Sequence, residues 1–363
     1  MVSALKSMRI LVVSFSVGNV MGDSFTAVTR SLARHHQVSV LTNTACQQEL
    51  PGVQAVCRVA FSKTRVLDFV DPRRYYSIWK FVRNRRFDVV FIYTSHPVNA
   101  FIYALLRNIP VVPFVHDHIL HEGVPGFDAV FHRMNLWLYY HRSAKIIVSC
   151  HYIKDDILDK QFMTDGEKIA VNYLGMLPNL VFPESGVAED VDVLFFGRVE
   201  AYKGLDTLVD VAGRLPDVQF VVVGKGDFSQ VSGCQAVPSN IVRVDAYIDD
   251  HRLAEYIQRA KLIVLPYHDA TGTQTVQAAF YYGKPVVATR VGCFPEYVTD
   301  GEDGLLCRPR DAEGIREAIV RLLSHPSLRR QMGAKGKQKL ATLFSEEAIT
   351  RHYEQIFLSV CQS

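Results

Sequence analysis

The sequence lacks the features that would assign it to several common classes of protein. No apolar run approaches the length of about 18 residues that a membrane span needs, since even the early run Ile10 to Val13 ends at Ser14. The seven cysteines are scattered and have no C-x-x-C spacing, which favours reduced thiols in a cytosol. With 48% hydrophobic and 21% charged residues, the chain is neither disordered nor fibrous. We expect a folded cytoplasmic protein that is neither exported nor membrane-spanning.

Motifs for a redox cofactor and for a metal are also missing. The segment Val223-Gly-Lys-Gly-Asp ends a predicted strand, but Ser229 stands where the third glycine of a G-x-G-x-x-G fingerprint would be, which argues against a dehydrogenase. The stretch from His116 to Glu122 is rich in histidine, yet it fits neither H-E-x-x-H nor a Cys/His cluster. We therefore expect no metal and no bound cofactor.

What is present is a repeated alternation of strand-like and helix-like segments. Short β-branched runs begin at Arg9 and again near Asp192, and such alternation predicts parallel sheets wound by helices. A length of 363 residues favours two domains of this kind. The stretch 177–190 has the Pro, Gly and acid content of a linker, so we place the domains at 1–182 and 183–345. The predicted fold is α/β, with two doubly wound Rossmann-like domains facing a cleft and ligands at the carboxyl ends of the strands.

Two helices of the second domain are predicted from the spacing of their apolar residues. In each, the apolar residues recur three or four positions apart and so share one face. The two faces consist of Leu205, Leu208, Val209, Ala212 and Leu215, and of Ile315, Ala318, Ile319 and Leu322.

A basic and aromatic segment runs from Arg73 to Arg86 without an acidic residue. It fits a solvated helix face whose other side packs on the sheet through Ile78, Val82 and Tyr75. It also fits a patch that binds the anionic headgroups of a membrane. Nucleic acid is the weakest alternative, because the net charge is only +3 and no binding motif accompanies the patch.

Two further segments have the chemistry of an anion site. In Gly197-Arg198-x4-Lys203-Gly204, two cations and a helix start follow a strand, which suits a diphosphate, although surface cations in a loop would look the same. The turn Gly272-Thr-Gln-Thr275 also leads from a strand into a helix. That turn predicts a second anion cradle or, alternatively, a helix cap without a ligand.

The order of these segments resembles the retaining glycosyltransferases of family 4, also called glycosyl transferases group 1, which have the GT-B fold. The resemblance rests on Gly-Arg-x4-Lys-Gly, Val-Gly-Lys-Gly-Asp, the Thr-rich turn and a long motif from Gly283 to Leu306. It covers residues 192–323 well. The first half matches only in its strand pattern, an early glycine-bearing loop and a His after the fourth strand.

The resemblance implies a donor site in the second domain for a nucleoside-diphosphate sugar. Arg198 and Lys203 would neutralise the diphosphate and the charge that builds on the leaving group, in place of a metal. Losing one such contact costs on the order of 3 kcal/mol, or roughly a hundredfold in rate. The other donor-site residues that the resemblance implies are Gly18, Gly197, Gly224, Tyr247, Gly272, Thr273, Gln274, Thr275 and Glu296.

One departure from the family concerns its pair of glutamates, which stand with seven residues between them and touch the donor sugar and the ribose. The matching positions here are Asp269 and Gln277. Asp269 keeps its charge on a shorter side chain, whereas Gln277 can only offer a ribose hydroxyl a neutral hydrogen bond. A nucleotide-sugar binding protein without catalysis is therefore one alternative, and a sugar-nucleotide epimerase on the same fold is another.

In the first half, the resemblance places His116 at the reaction centre, where it would orient the acceptor hydroxyl or the donor sugar. A helix-capping or surface histidine is the alternative. Gly18, Gly22 and Asp23 follow the first strand, where a flexible loop would approach the donor phosphates or the acceptor. The amphipathic stretch 346–363 crosses back to the N-terminal domain in the family.

Together these expectations describe a retaining hexosyltransferase with an acceptor-binding N-terminal domain and a donor-binding C-terminal domain. It would transfer a sugar to a hydroxyl of a glycan or lipid-linked saccharide, in the synthesis of cell-surface polysaccharide or glycolipid. The family implies attack of the acceptor on the front face, with the leaving phosphate as base. Peripheral contact with the inner face of a membrane, through Arg73 to Arg86, would complete this hypothesis.

Overall fold

The computed structural model describes residues 7–15, 20–46, 49–61, 66–116, 118–119, 126–175, 180–229 and 237–362. The chain divides into two compact units. The first unit comprises Met1–Tyr173 together with Glu346–Ser363, and the second comprises Leu174–Ser345. No helix in the described part of the chain combines the length and the hydropathy needed to span a bilayer.

The sheet of the first unit has seven strands. They are β1 (Arg9–Ser14), β2 (Gln37–Asn43), β3 (Ala55–Val59), β4 (Val89–Ile92), β5 (Val111–Val115), β6 (Ile146–Val148) and β7 (Ile169–Val171). Their spatial order is β3-β2-β1-β4-β5-β6-β7, and every pair is parallel. All residues of β4, β5 and β6 are buried, so both faces of the sheet are covered and the strands read as continuous apolar runs.

Six helices of the first unit are described. They are α1 (Val20–Ala33), α2 (Pro72–Arg83), α3 (Asn99–Leu105), α4 (Gly126–Arg142), α5 (His151–Asp159) and, from the C-terminal segment, α12 (Glu346–Cys361). The basic segment forms α2, which begins with Asp71 as its N-cap and buries Ile78, Phe81 and Val82. Its other face is exposed, with Tyr76 at 60% of full exposure.

Helix α12 packs into the first unit by both apolar and polar contacts. The ring of Phe357 is fully buried and lies 5.2 Å from that of Phe91 on β4. Thr350 donates a hydrogen bond to Ser31 of α1 at 2.8 Å. The C-terminal segment therefore supplies part of the core of the first unit.

The sheet of the second unit has six strands. They are β8 (Val191–Phe196), β9 (Phe220–Val223), β10 (Ile241–Val244), β11 (Ala260–Leu265), β12 (Val286–Thr289) and β13 (Gly304–Cys307). Their order is β10-β9-β8-β11-β12-β13, again all parallel. In both sheets the order reverses between the first strand and the fourth, which is where doubly wound folds leave a crevice for ligands. The predicted fold class is confirmed.

The described helices of the second unit are α6 (Leu205–Gly213), α7 (Asp250–Arg259), α8 (Thr275–Tyr281), α9 (Phe294–Tyr297), α10 (Ala312–Ser324) and α11 (Pro326–Leu343). All four apolar residues predicted for α10 are buried. In α6 the prediction was wrong at one position. Leu215 lies beyond the end of the helix, which has Arg214 as its C-cap, because a residue that precedes a proline, here Pro216, disfavours the helical conformation.

The division between the units falls between Tyr173 and Leu174, about nine residues before the boundary that we expected near residue 182. The reason is that the stretch expected to be a free linker is bonded to the second unit. Tyr282 donates to the carbonyl of Val181 at 2.8 Å, and Gln258 accepts from the amide of Glu184 at 2.6 Å. Composition alone does not reveal such contacts.

Replacing Phe357 by alanine should destabilise the first unit by about 3–5 kcal/mol, because the change leaves a cavity beside Phe91. Urea unfolding, followed by a probe in each unit, measures this effect. Gln355→Ala on the exposed face of the same helix is the control and should change the free energy of unfolding little. Equal stabilities for the two variants would contradict the packing of α12 described above.

Candidate active site

The loop that follows β8 lies along the loop that follows β9. The amide of Gly197 donates to the carbonyl of Val223 at 2.9 Å, and the amide of Val199 donates to that of Lys225 at 3.0 Å. A β-carbon at Gly224 would lie 1.8 Å from the carbonyl oxygen of Gly197. The two glycine-bearing strand ends are thus packed backbone to backbone, at the carboxyl edge where the sequence predicted a ligand.

A short 3-10 turn, Ala201–Lys203, connects this loop to α6 and is held against the end of β11. The amide of His268 donates to the carbonyl of Tyr202 at 2.7 Å. Gly204 ends the turn in the left-handed region, at a φ of 69°, and a β-carbon there would lie 1.9 Å from the carbonyl oxygen of Pro266. Only glycine fits at this position, both in conformation and in space.

Lys203 is the most unusual charge in this region, because it is only 8% exposed. Its ammonium lies 5.3 Å from the centre of the Tyr267 ring and 5.9 Å from that of the Tyr202 ring. It also lies so close to Gly197 that a β-carbon there would be 2.8 Å from Nζ. Among the residues that the structure describes, no carboxylate forms an ion pair with it.

The surroundings of Lys203 alter its protonation. Burial lowers the pKa of Lys203 from its ordinary 10.5 to about 8; Glu200 opposes this effect and Arg198 adds to it. The side chain therefore remains largely protonated at neutral pH, while holding a charge that is poorly solvated. A buried cation without a protein counter-ion is a strong candidate for binding an anionic ligand.

The side chain of Arg198 is paired with a carboxylate of its own loop. Its side chain is 65% exposed, and Nη1 pairs with Oε1 of Glu200 at 2.8 Å. Glu200 is thus a functional candidate that the sequence analysis missed, although it stands inside the Gly-Arg-x4-Lys-Gly motif. Nothing in the spacing of the motif indicates whether that carboxylate turns toward Arg198 or toward solvent.

The Thr-rich turn is an ordered structure that precedes α8. The hydroxyls of Thr273 and Thr275 lie 2.8 Å apart, and the amide of Thr275 donates to Thr273 Oγ1 at 3.2 Å. Gly272 is half-buried beside them. The bond to Thr273 orders the turn, but Gln274, the N-cap residue of α8, makes no capping hydrogen bond through its side chain.

The two glutamines of this segment are bonded to the backbone of the same unit. Gln274 Nε2 donates to the carbonyl of Gly175 at 2.7 Å, and Gln277 Nε2 donates to that of Leu174 at 3.0 Å. Gln277 is fully buried, and within the described residues its Oε1 has no hydrogen-bond partner. In this conformation Gln277 does not reach an open site, because the segment that enters the second unit covers it.

The other expected donor-site residues stand around this edge of the second sheet. Asp269 is exposed and accepts from the amide of Ala270 at 2.8 Å. Tyr247 is 77% exposed, with the Lys225 ammonium 5.5 Å from its ring centre. Glu296 is half-buried in the first turn of α9. Asp269 and Tyr247 are thus exposed to a ligand, and Glu296 is partly so.

His268 and Tyr267 are a second omission of the sequence analysis. His268 is bonded to Thr207 Oγ1 at 2.9 Å and lies 3.3 Å from Asp206 Oδ1. Burial lowers the pKa of His268, while Asp206 opposes this shift and Arg310 adds to it. The available signal was their position directly after β11, at the same edge as Lys203.

His116 belongs to the first unit, at the carboxyl end of β5. Its ring centre lies 4.2 Å from that of Phe114, and Nε2 lies 3.2 Å from the carbonyl oxygen of Tyr93. The side chain is half-buried and faces the ends of two neighbouring strands, unlike an ordinary surface histidine. Asp117, His121 and Glu122 lie outside the described residues, and the described ones contain no cluster of potential metal ligands.

The loop expected after the first strand is shorter than predicted. Gly22 and Asp23 lie within α1, which begins at Val20, so they are helical residues and not part of a flexible loop. Apolar residues at helical spacing, such as Phe25 and Val28, bury this helix and explain its early start. Gly18 lies outside the described residues.

Comparison with known families bears on both halves of the chain. The model of Glycosyltransferase Family 4 matches residues 22–176, and that of Glycosyl transferases group 1 matches residues 181–339. The two matches follow one another and together cover most of the sequence. The chain belongs to glycosyltransferase family 4. The two matches confirm the resemblance that the ordered motifs of this glycosyltransferase indicated.

Individual relatives agree with this assignment. The glycogen synthase of Mycobacterium tuberculosis is 26% identical over 297 residues, which cover 76% of this chain and 70% of the relative. LpsE of Rhizobium meliloti, a lipopolysaccharide core biosynthesis glycosyltransferase, is 32% identical over 171 residues, or 46% of this chain and 49% of the relative. The crystal structure of HepE from Anabaena in complex with UDP-glucose superposes with a TM-score of 0.75 at 18% identity, covering 97% and 100% of the two chains.

Replacing Lys203 by methionine should stabilise the second unit at neutral pH. The difference between a pKa of about 8 and the ordinary 10.5 means that holding the charged ammonium costs on the order of 3 kcal/mol. Between about pH 8 and pH 10.5 the ammonium is deprotonated in the folded chain but still protonated in the unfolded one. The free energy of unfolding of the wild type therefore rises with pH in this range. Urea unfolding at pH 7 and pH 9 should show a gain for the variant that shrinks at the higher pH.

The matched control for this prediction is Lys261→Met. Lys261 stands at the opposite end of β11, and its ammonium is paired with Asp192 at 2.6 Å. Its loss should therefore give no gain in stability. If Lys203→Met is less stable than wild type at both pH values, the cost of burying the ammonium is offset by other interactions in the folded chain, which contradicts the prediction.

Proposed function

We propose that this glycosyltransferase transfers a hexose from a nucleoside-diphosphate sugar to a hydroxyl of a glycan or lipid-linked saccharide, with retention of configuration. The second unit would bind the donor and the first unit the acceptor. The observation that carries the proposal is the ammonium of Lys203, buried at the carboxyl edge of the sheet without a carboxylate partner among the described residues. A diphosphate would supply the missing negative charge.

The site offers several groups to a diphosphate. Lys203 contributes a point charge in a water-poor environment, where an electrostatic contact is stronger than in bulk solvent. Arg198 adds a planar donor that can fork across two phosphate oxygens. The half-buried residues Thr273 and Thr275 lie in the turn before α8, and their hydroxyls would donate to phosphate oxygens. These contacts would be strongest on the departing diphosphate, as catalysis requires.

In the proposed reaction, the acceptor oxygen forms a bond to the anomeric carbon of the sugar as the bond from that carbon to the phosphate oxygen breaks. The hydroxyl proton passes to a leaving phosphate oxygen, and the electron pair of the broken bond stays with the nucleoside diphosphate. Lys203 and Arg198 would carry the charge that a metal carries in other transferases, so no metal is required. His116, half-buried at the end of β5, would orient the sugar or the acceptor.

A donor panel tests this proposal. UDP-, ADP- and GDP-sugars are incubated with the protein, with and without a membrane-lipid extract, and nucleoside diphosphate release is measured. One donor should be consumed, in the presence of EDTA as well, and Lys203→Met should lose about a hundredfold or more in kcat/KM. NMR of the product should show the anomeric configuration of the donor.

Lys261→Met again serves as the control and should retain activity, because its ammonium pairs with Asp192 away from the carboxyl edge. Inversion at the anomeric carbon, or inactivation by EDTA, would contradict the corresponding part of the proposal. If a donor binds but is never consumed, the protein is a nucleotide-sugar binding protein instead.

We also propose that α2 attaches the protein to an anionic membrane surface, where a lipid-linked acceptor would be found. Along its exposed face, the rings of Tyr76 and Trp79 are stacked at 5.6 Å, and the Arg83 guanidinium lies 4.7 Å from the Trp79 ring centre. Arg74 is not available for this purpose, since it pairs with Asp68 at 2.8 Å. The combination of exposed cations with the exposed ring of Tyr76 and the half-buried ring of Trp79 suits the headgroup region.

Neutralising the exposed cations of α2 should weaken binding to vesicles that contain an anionic lipid by at least about tenfold, since each contributes on the order of 1 kcal/mol near such a surface. Co-sedimentation measures the effect. A control with the same loss of charge in the second unit should bind as wild type does; unchanged binding of the α2 variant would refute the attachment. The tested substitutions are Arg73, Lys80 and Arg83 of α2, with Arg86 just beyond its end, to Ser, and the control substitutions are Arg308, Arg321, Arg330 and Lys337 to Ser.

A further inference from the structure

The candidate donor site contains a carboxylate among its cations. Glu200 stands two residues after Arg198 and three before Lys203, and its Oε1 lies 2.8 Å from Nη1 of Arg198. A negative charge at a site for a diphosphate opposes binding of the ligand. Its presence there requires a reason.

A structural role supplies only part of that reason, since the carboxylate also interacts with the hydroxyl of Tyr202 in the turn that follows. Glu200 precedes the turn Ala201–Lys203, but its side chain makes no capping hydrogen bond to that turn. The side chains of Arg198 and Glu200 are 65% and 31% exposed, and an ion pair with that degree of exposure contributes little to stability. The pair therefore has its main effect on the charge that the loop offers to a ligand.

The carboxylate also acts on the buried ammonium. It raises the pKa of Lys203, against the larger lowering by burial, which means that the field of Glu200 reaches Nζ. It raises the pKa of the Tyr202 hydroxyl as well, in addition to the effect of burial. Glu200 is thus electrostatically coupled to both cations of the loop and is not confined to its exposed partner.

We propose that Glu200 is a specificity-determining residue, which competes with the ligand phosphates for Arg198 and thereby weakens the binding of the nucleoside diphosphate product more than that of the nucleotide-sugar donor. This inference rests on the proposed function. When a ligand is bound, the guanidinium exchanges the carboxylate for phosphate oxygens. When the product leaves, the carboxylate takes its place, so that Arg198 is never left without a partner.

The preference against the product follows from the charges of the two ligands. In the donor, both phosphates are diesters or their equivalent, with one negative charge each. In the product, the terminal phosphate is a monoester, which ionises a second time at about pH 6. The product therefore carries about one more negative charge at neutral pH, and the repulsion by Glu200 is correspondingly larger.

The test is Glu200→Gln, which removes the charge and keeps the shape. Calorimetric titration with UDP, ADP and GDP identifies the nucleotide that wild type binds, and the glucose ester of that nucleotide serves as donor. The variant should bind the nucleoside diphosphate about tenfold more tightly and the donor by a smaller factor. In steady-state assays, the inhibition constant of the product should fall by a similar factor, while KM for the donor changes less.

A double-mutant cycle with Arg198→Gln separates competition for Arg198 from a general effect of charge. In the Arg198→Gln background, most of the gain from Glu200→Gln should be lost. The matched control is Asp210→Asn, which breaks an Arg–carboxylate pair of the same unit, also at 2.8 Å, on α6. Asp210→Asn should bind both ligands as wild type does. Its midpoint of thermal unfolding should agree with that of Glu200→Gln.

The possible outcomes separate this inference from the proposed function. The inference is supported if Glu200→Gln binds the product more tightly and the donor by a smaller factor. In the Arg198→Gln background, this gain in affinity for the product should be lost. If wild type binds a nucleoside diphosphate through Lys203 and Glu200→Gln binds it no more tightly, the role of Glu200 is refuted and the proposed function stands. An equal gain in both backgrounds refutes the competition for Arg198. If no nucleoside diphosphate binds, both proposals fail.

Discussion

Burial of the parallel strands on both faces is the constraint on which the remaining structure depends. The central strands of the two sheets bury almost all of their side chains, since parallel strands covered by helices need apolar side chains on both sides. Polar and charged side chains that contact a ligand can therefore stand only beyond the strand ends. Lys203, His268 and the Thr-rich turn all follow this rule in the second unit, and His116 follows it in the first.

This constraint explains why the fold could be predicted from the sequence. A strand that is covered on both faces is a nearly continuous run of apolar residues, which can be recognised without knowledge of tertiary contacts. A glycine often follows such a run and indicates where the strand ends. The same property explains why the motif from Gly197 to Gly204 could be identified. It stands immediately after such a run. Gly204 is required by its close contact with the carbonyl of Pro266, and Gly197 has a positive φ of 128° and lies against Nζ of Lys203.

The parts that could not be predicted depend on contacts between distant segments. The burial of Lys203 results from Tyr267, which is more than sixty positions away in the sequence, and no local pattern indicates it. The enclosure of Gln277 results from Leu174, which is more than a hundred positions away in the sequence, in the segment that enters the second unit. The pairing of Arg198 with Glu200 is local, but it depends on side-chain rotamers that a motif does not specify. Distance in sequence and choice of rotamer thus set the limits of the sequence analysis.

Lys203 illustrates a compromise between stability and binding. A well-solvated lysine would be less costly to the fold, and a lysine paired with a buried carboxylate would be satisfied by the protein itself. Neither would leave a charge to be neutralised by a ligand. Functional sites commonly retain such local instability, which the surrounding packing tolerates. The buried apolar residues of β8, β9 and β11 provide the packing of this unit.

The membership of α12 in the first unit has a consequence for biosynthesis. Residues 174–345 are an insertion, in the chain, between two segments of one folding unit. The core around Phe91 is incomplete until Phe357 has been synthesised, by which time every residue of the second unit has already been added. The usual order of co-translational folding, in which the N-terminal domain is completed first, is therefore reversed here, and the second unit can reach its native state while the first still lacks its final helix.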